Sequence, residues 1–205
     1  MPLVLPRPLA PRARGAVDGR ASPPGGRPPP RPMASEGLLL AGRALVRAGD
    51  GETLRAVPGS DLALLFFTAS WCPACTRFGP LLADFQEELG GSPLPVVCVS
   101  RDRTEAEFRA SLSAEHVPDD WLALSFAERE LGRQLEAALG VRLIPSLAVL
   151  RIADAAIVSP VADARSEVIA GPASYAKWLE AARGELPPLP PLEGGAALGG
   201  SAAAA

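Results

Sequence analysis

Hydrophobic and polar positions change period several times along the chain, and each change marks an element. Leu62 to Thr68 is an unbroken apolar run, and its lack of alternation predicts a strand buried on both faces. From Pro73 the spacing shifts to steps of three and four. Phe78, Leu81, Leu82, Phe85 and Leu89 then make one apolar stripe along a helix that Gly90-Gly91 stops. Pro95 to Val99 predicts a second buried strand, Thr104 to Leu112 a helix, and Ala127 to Leu139 another, ended by Gly140. Leu147 to Arg151 and Ala156 to Ser159 read as the last strands. A final helix over Ala173 to Ala182 turns Tyr175, Trp178 and Leu179 inward, and Ala44 to Arg47 reads as a short edge strand near the start. The order β, β, α, β, α, α, β, β, α predicts an α/β fold: a central, largely parallel sheet flanked by helices and finished by an antiparallel pair.

Composition sets the limits of that domain. Hydrophobic residues make up 48% of the 205, enough for a core, but the 23 prolines and 20 glycines crowd toward the two ends. Residues 1–35 carry proline, arginine and alanine with no helical or strand period and are expected to be disordered, leaving 36–183 as the folded domain and 184–205 as a disordered Pro/Gly/Ala tail. The leading segment has six arginines against one aspartate, a charge of +5; with the whole chain at −3, the remainder carries −8. An acidic domain repels phosphate backbones, so no nucleic-acid partner is expected. No apolar run approaches the roughly 18 residues of a membrane span, and Pro2, Pro6 and Pro8 break the apolar start before a secretory core forms, so no membrane partner and no export are expected. The expected location is cytoplasmic, with nuclear or organellar import left open because the leading segment is rich in arginine and poor in acid.

The candidate chemistry lies in Trp71-Cys72-Pro73-Ala74-Cys75. A buried strand feeding a helix puts Cys72 at the helix N-terminus and Cys75 one turn in. Unpaired backbone N–H groups there favour a thiolate, and such sites lower a cysteine pKa from about 8.5 into the range of about 3.5 to 7.5. Nucleophilicity falls along with pKa, so activation of attack amounts to only a few-fold, and the larger gain is Cys75 held ready to resolve a mixed disulfide. Pro73 suits the first turn of a helix, where its missing N–H is not needed. Trp71 reads either as a wall beside the sulfurs or as a core residue. The same spacing is half of a zinc site, but zinc needs four ligands and the remaining soft side chains, Cys98 and His116, form no second pair. Neither metal nor cofactor is expected. Cys98, inside Val96-Val97-Cys98-Val99, reads as an inert buried thiol.

The run Phe66-Phe67-Thr68-Ala69-Ser70-Trp71-Cys72-Pro73-Ala74-Cys75 resembles the active-site segment of the tryparedoxin and nucleoredoxin branch of the thioredoxin superfamily. Val99-Ser100-Arg101-Asp102-Arg103, Trp121 to Phe126, Leu139-Gly140-Val141 and Ile144-Pro145-Ser146 follow in that branch's order, so the resemblance covers roughly residues 38–180. It implies a thioredoxin fold with a mixed sheet. It also implies Cys72 as attacking thiol, Cys75 as resolving thiol, Pro145 as a cis-proline that turns the Ile144 backbone toward substrate, and Arg165 as a substrate-binding residue. Phe66 stands where thioredoxin itself has a buried aspartate, so water or another base must take the Cys75 proton; Ala74 and Thr76 also depart from the branch's pattern. The implied activity is reduction of disulfides in client proteins, with an upstream thiol donor resetting the pair. Two other readings share the motif: a thiol–disulfide protein of the cytochrome-maturation type, and a thioredoxin-fold binding module whose affinity is switched by the pair.

Overall fold

The computed structural model describes residue 40 and residues 42–192. The expected disordered segment 1–35 and the last part of the tail, 193–205, lie outside the described residues. Seven strands, β1 (Leu45–Arg47), β2 (Thr53–Leu54), β3 (Leu62–Thr68), β4 (Val96–Ser100), β5 (Leu122–Leu124), β6 (Ser146–Arg151) and β7 (Ile157–Ser159), form one sheet in the order β2-β1-β5-β4-β3-β6-β7. Five helices accompany them among the described residues: α1 (Pro73–Glu88), α2 (Glu105–Leu112), α3 (Arg129–Ala138), α4 (Ala164–Ile169) and α5 (Ala173–Ala181).

The apolar run at β3 becomes the central strand because both of its faces need cover. Leu62, Leu64 and Phe66 point into one core with Phe78, Leu82 and Phe85 of α1, Phe108 of α2, Trp121 and Trp178. Leu65 and Phe67 point into the other, with Leu131 and Leu135 of α3. Period-two alternation splits a continuous hydrophobic run between two layers of helix. Polar atoms inside are matched: the indole Nε1 of Trp121 donates to Gln86 Oε1 at 2.5 Å, and that of Trp178 to Glu167 Oε2 at 2.9 Å. No helix among the described residues is long and apolar enough to cross a membrane.

Several expectations are corrected. The sheet is mixed, but only β3–β4 and β4–β5 are parallel pairs; β1, β2, β6 and β7 all join antiparallel. The segment read as an edge strand, β1, lies between β2 and β5, and two-residue β2 takes the edge. The sequence periods also leave out β2, β5 and α4: β2 has only two positions, and α4, six residues long, lacks a helical stripe. Leu81, counted in the apolar stripe of α1, is 50% exposed. The tail does not begin at 184: Ile157 N donates to Pro187 O at 2.9 Å, and Leu189 and Leu192 pack on the core, so the domain extends at least to residue 192.

The contrast between adjacent leucines is testable. Leu82→Ala, at a fully buried site, is expected to lower the urea-unfolding free energy by about 2–5 kcal/mol, and Leu81→Ala by no more than about 0.5 kcal/mol. Equal losses would show that both line the core.

Candidate active site

Three chain segments meet at one end of the central strands. Thr68 of β3 pairs with Ser100 of β4 in parallel register, so the loops following both strands leave the sheet together. β6 runs the other way, and Phe67 faces Ser146, which brings the start of β6 to the same place. Residues 69–75, 101–103 and 143–145 therefore converge although the sequence separates them widely.

Cys72 is the N-cap of α1, with Pro73 in the first turn. Its sulfur accepts the Cys75 N–H at 3.1 Å, so the side chain occupies the place that a serine or aspartate oxygen takes in an ordinary cap. In the reduced protein that N–H and the positive end of the helix both favour the Cys72 thiolate. No acidic residue in the first turn of α1 opposes them. Cys72 and Cys75 are joined as a disulfide, their Cα atoms 5.2 Å apart, and both are buried.

The Ile144–Pro145 bond is cis, as the resemblance implies. Ile144 is half-buried, and its carbonyl oxygen lies 3.8 Å from Cys72 Sγ. Arg165, in the first turn of α4, is exposed; its guanidinium extends over the Phe78 ring at 5.3 Å and donates from Nη1 to Pro145 O at 3.1 Å. Trp71 is 48% exposed beneath the Arg103 guanidinium, 5.8 Å from the ring centroid, which makes it a wall of the site and not a core residue. Pro73 is exposed beside it, and Leu143, 78% exposed, projects from the loop before Pro145. All seven residues singled out in the sequence (Trp71, Cys72, Pro73, Cys75, Ile144, Pro145 and Arg165) thus lie together at one end of the sheet.

The structure gives Asp102, named in the sequence only within the Val99–Arg103 run, a definite place. Asp102, buried at the end of β4, accepts from Ser70 N at 2.8 Å, Ser70 Oγ at 2.7 Å and Ser100 Oγ at 2.7 Å. It ties the turn before Trp71-Cys72 to the neighbouring strand. A signal existed in the Ser-x-Asp step that closes the apolar Val96–Val99 run. Behind Cys75 lies a cavity of about 160 Å³, lined by Phe66, Ser70, Thr76, Cys98, Ser111 and His116 among others. His116 reaches it because residue 79 has no side chain: a Cβ there would sit 2.8 Å from His116 Cδ2. Phe66 packs tilted on Phe78 and edge-on to Trp121, each at 5.9 Å, so an aromatic cluster fills the place of a carboxylate. Cys98 is fully buried against this region, and loss of solvation pushes its thiol up to about 12.

A mixed sheet with a CxxC pair at a helix N-terminus and a cis-proline facing it defines the thioredoxin class of thiol–disulfide oxidoreductase. A family model described as thioredoxin-like matches residues 59–156. Nucleoredoxin-like protein 1 of Mus musculus is 35% identical over 160 residues, covering 70% of this chain and 70% of that protein. Tryparedoxin of Trypanosoma brucei brucei is 37% identical over 141 residues, covering 68% of this chain and 94% of the relative. The solved tryparedoxin I of Crithidia fasciculata superposes with a TM-score of 0.56 at 29% identity, covering 66% of this chain and 90% of that one. The chain belongs to the thioredoxin-like family, in its tryparedoxin and nucleoredoxin branch. It is a thiol–disulfide oxidoreductase, of a family that acts on disulfide substrates with thiol reductants.

Two measurements test the site's surroundings. Asp102→Ala strips three donors of their acceptor and is expected to cost about 3 kcal/mol in urea unfolding, with Asp102→Asn, which keeps one acceptor oxygen, losing less. Cys98 supplies a pH signature. Its native value of about 12 exceeds the unfolded value of about 8.5, so its contribution to stability is full below about pH 8.5 and is lost as pH rises toward 12, at about 1.4 kcal/mol per pH unit. Between about pH 8 and pH 10.5 the parent should therefore lose roughly 2–3 kcal/mol more stability than Cys98→Ala; equal losses would show that the thiol ionises in place.

Proposed function

We propose that the protein reduces disulfides in client proteins through Cys72 and Cys75. The observation that carries this reading is the Cys72 sulfur at the helix cap, with the Cys75 N–H on one side of it and the Ile144 carbonyl on the other. The Cys72 thiolate attacks one sulfur of the client disulfide; that bond breaks, a mixed disulfide forms, and the client's other sulfur leaves as a thiolate. Cys75 then loses its proton and attacks Cys72 Sγ. The second client sulfur departs, and the Cys72–Cys75 disulfide holds the two electrons' worth of oxidation. Water entering the cavity behind Cys75 takes the proton, with the His116 imidazole on its wall. An upstream thiol donor, low-molecular-weight or protein, reduces the pair again.

Substrate positioning falls to the surrounding residues. Ile144, ahead of the cis bond, offers main-chain groups to an extended client segment; Trp71 and Pro73 flank the sulfurs, and Arg165 stands over the opposite rim. No N–H at Pro145 competes for the client's backbone. A reductase of this kind works in a reducing compartment, the cytoplasm in the first instance, where the glutathione and thioredoxin systems keep thiols reduced.

Insulin reduction with dithiothreitol tests the proposal. Cys72→Ser is expected to fall to the uncatalysed rate, Cys75→Ser to accumulate a stable mixed disulfide with client protein, and Arg165→Ala to raise KM a few-fold with kcat little changed. Turnover that persists in Cys72→Ser would sink the reading.

A further inference from the structure

The segment after α5 has a feature that thiol chemistry does not use. From Leu186 to Pro191 every residue is a proline or precedes one: Leu186, Pro187, Pro188, Leu189, Pro190, Pro191. Proline holds its own φ near −65°, and its ring drives the preceding residue out of the helical region. These restraints favour the polyproline II conformation, which has three residues per turn and rises about 3.1 Å per residue.

That period sorts the side chains. Leu186, Leu189 and Leu192, three apart, are the half-buried residues of the stretch, and all four prolines are exposed. Leu189 and Leu192 pack on the core that includes Leu65, Phe67 and α3. The segment is also pinned through its backbone. Ile157 N of edge strand β7 donates to Pro187 O at 2.9 Å. Arg151 Nη1 donates to Ala182 O at 2.5 Å and Gly184 O at 3.1 Å, while Asp154 accepts from the same guanidinium through Nε at 2.9 Å and Nη2 at 2.6 Å.

A strap that merely capped the sheet edge would need its leucines and one carbonyl. This one also turns outward two rows of prolines at three-residue spacing, Pro187 with Pro190 and Pro188 with Pro191. Grooves walled by aromatic side chains take prolines at that spacing, and they gain affinity when the ligand is already ordered. The core underneath belongs to the opposite face of the sheet from the one that holds Cys72 and Cys75. A partner seated on the prolines leaves the sulfurs uncovered.

We propose that residues 185–192 are a preformed polyproline II ligand for a protein domain with an aromatic-lined proline groove, which would hold the redox site close to that partner. The flanks are acidic, Glu185 before the core and Glu193 after it, so the matching groove carries basic residues beside its aromatic wall.

The test titrates the full chain into purified WW, SH3 and EVH1 domains and follows the probes' groove tryptophan fluorescence. At least one probe is expected to bind saturably. The double variants Pro187→Ala/Pro190→Ala and Pro188→Ala/Pro191→Ala should each weaken that binding about tenfold or more, with insulin reduction unchanged. A free peptide of residues 185–192 should bind several-fold more weakly than the full chain, because it must be ordered first. The Ile157 amide shift, read in each variant, reports whether the strap is still seated. No saturable binding to any probe up to about 1 mM would overturn the proposal. So would binding that the proline variants leave untouched while Ile157 keeps its shift.

Discussion

Everything at the active end of this molecule depends on β3 being enclosed on all sides. Its two faces are covered by helical layers, and its two edges are taken by β4 in parallel and β6 in antiparallel register. A strand paired and packed in this way cannot slip by a residue without turning its whole inner set outward. Its last residue, Thr68, therefore has a defined position, and so do the turn to Cys72, the loop after β4 and the start of β6. The sulfurs, Asp102 and the Ile144–Pro145 bond are placed by that register before any of them interacts.

Within the frame, electrostatics and positioning divide the work unequally. The cap geometry gives the Cys72 sulfur one backbone N–H and the field of α1, without a carboxylate in the first turn to oppose it. These effects shift a thiol toward its anion, but the anion is a weaker nucleophile for it. Placement of Cys75 one turn along has no such offset. The carboxylate of Asp102 serves placement too: its oxygens accept from Ser70 and Ser100, so it holds the turn that leads to Cys72.

The apolar character of the wall behind Cys75 follows from Phe66. With Phe78 and Trp121 it builds an aromatic cluster where thioredoxin itself has an acid, and burial in the same core holds Cys98 as a thiol at any ordinary pH. The chain thus contains three cysteines whose fates are set by place: two at a helix end, paired, and one inside a strand, silent.

Much of this is legible in the order of residues alone. The two-sided strand, the helix after it and the cysteine pair between them are local patterns, since burial on both faces and the dipole at a helix start are properties of a dozen consecutive residues. The likeness of the Ile144-Pro145 step to its family extends the reading to a distant segment. What stays hidden is short or relational. β2 and α4 are too brief for a period to show, and Leu81 sits at a helical spacing that matches the core stripe while its own environment is solvent. Asp102 is one of many acids until the parallel pairing of β3 and β4 sets it under Ser70. The tail reads as loose from its composition, because proline forbids helix and ladder alike, and only the packed domain offers Leu189 and Leu192 a surface and Pro187 a donor. The chain's local patterns settle which segments extend, which coil and which carry the chemistry. Packing settles which of them meet, because contact between residues far apart in the chain follows from sheet register and layer packing, and no local pattern contains either.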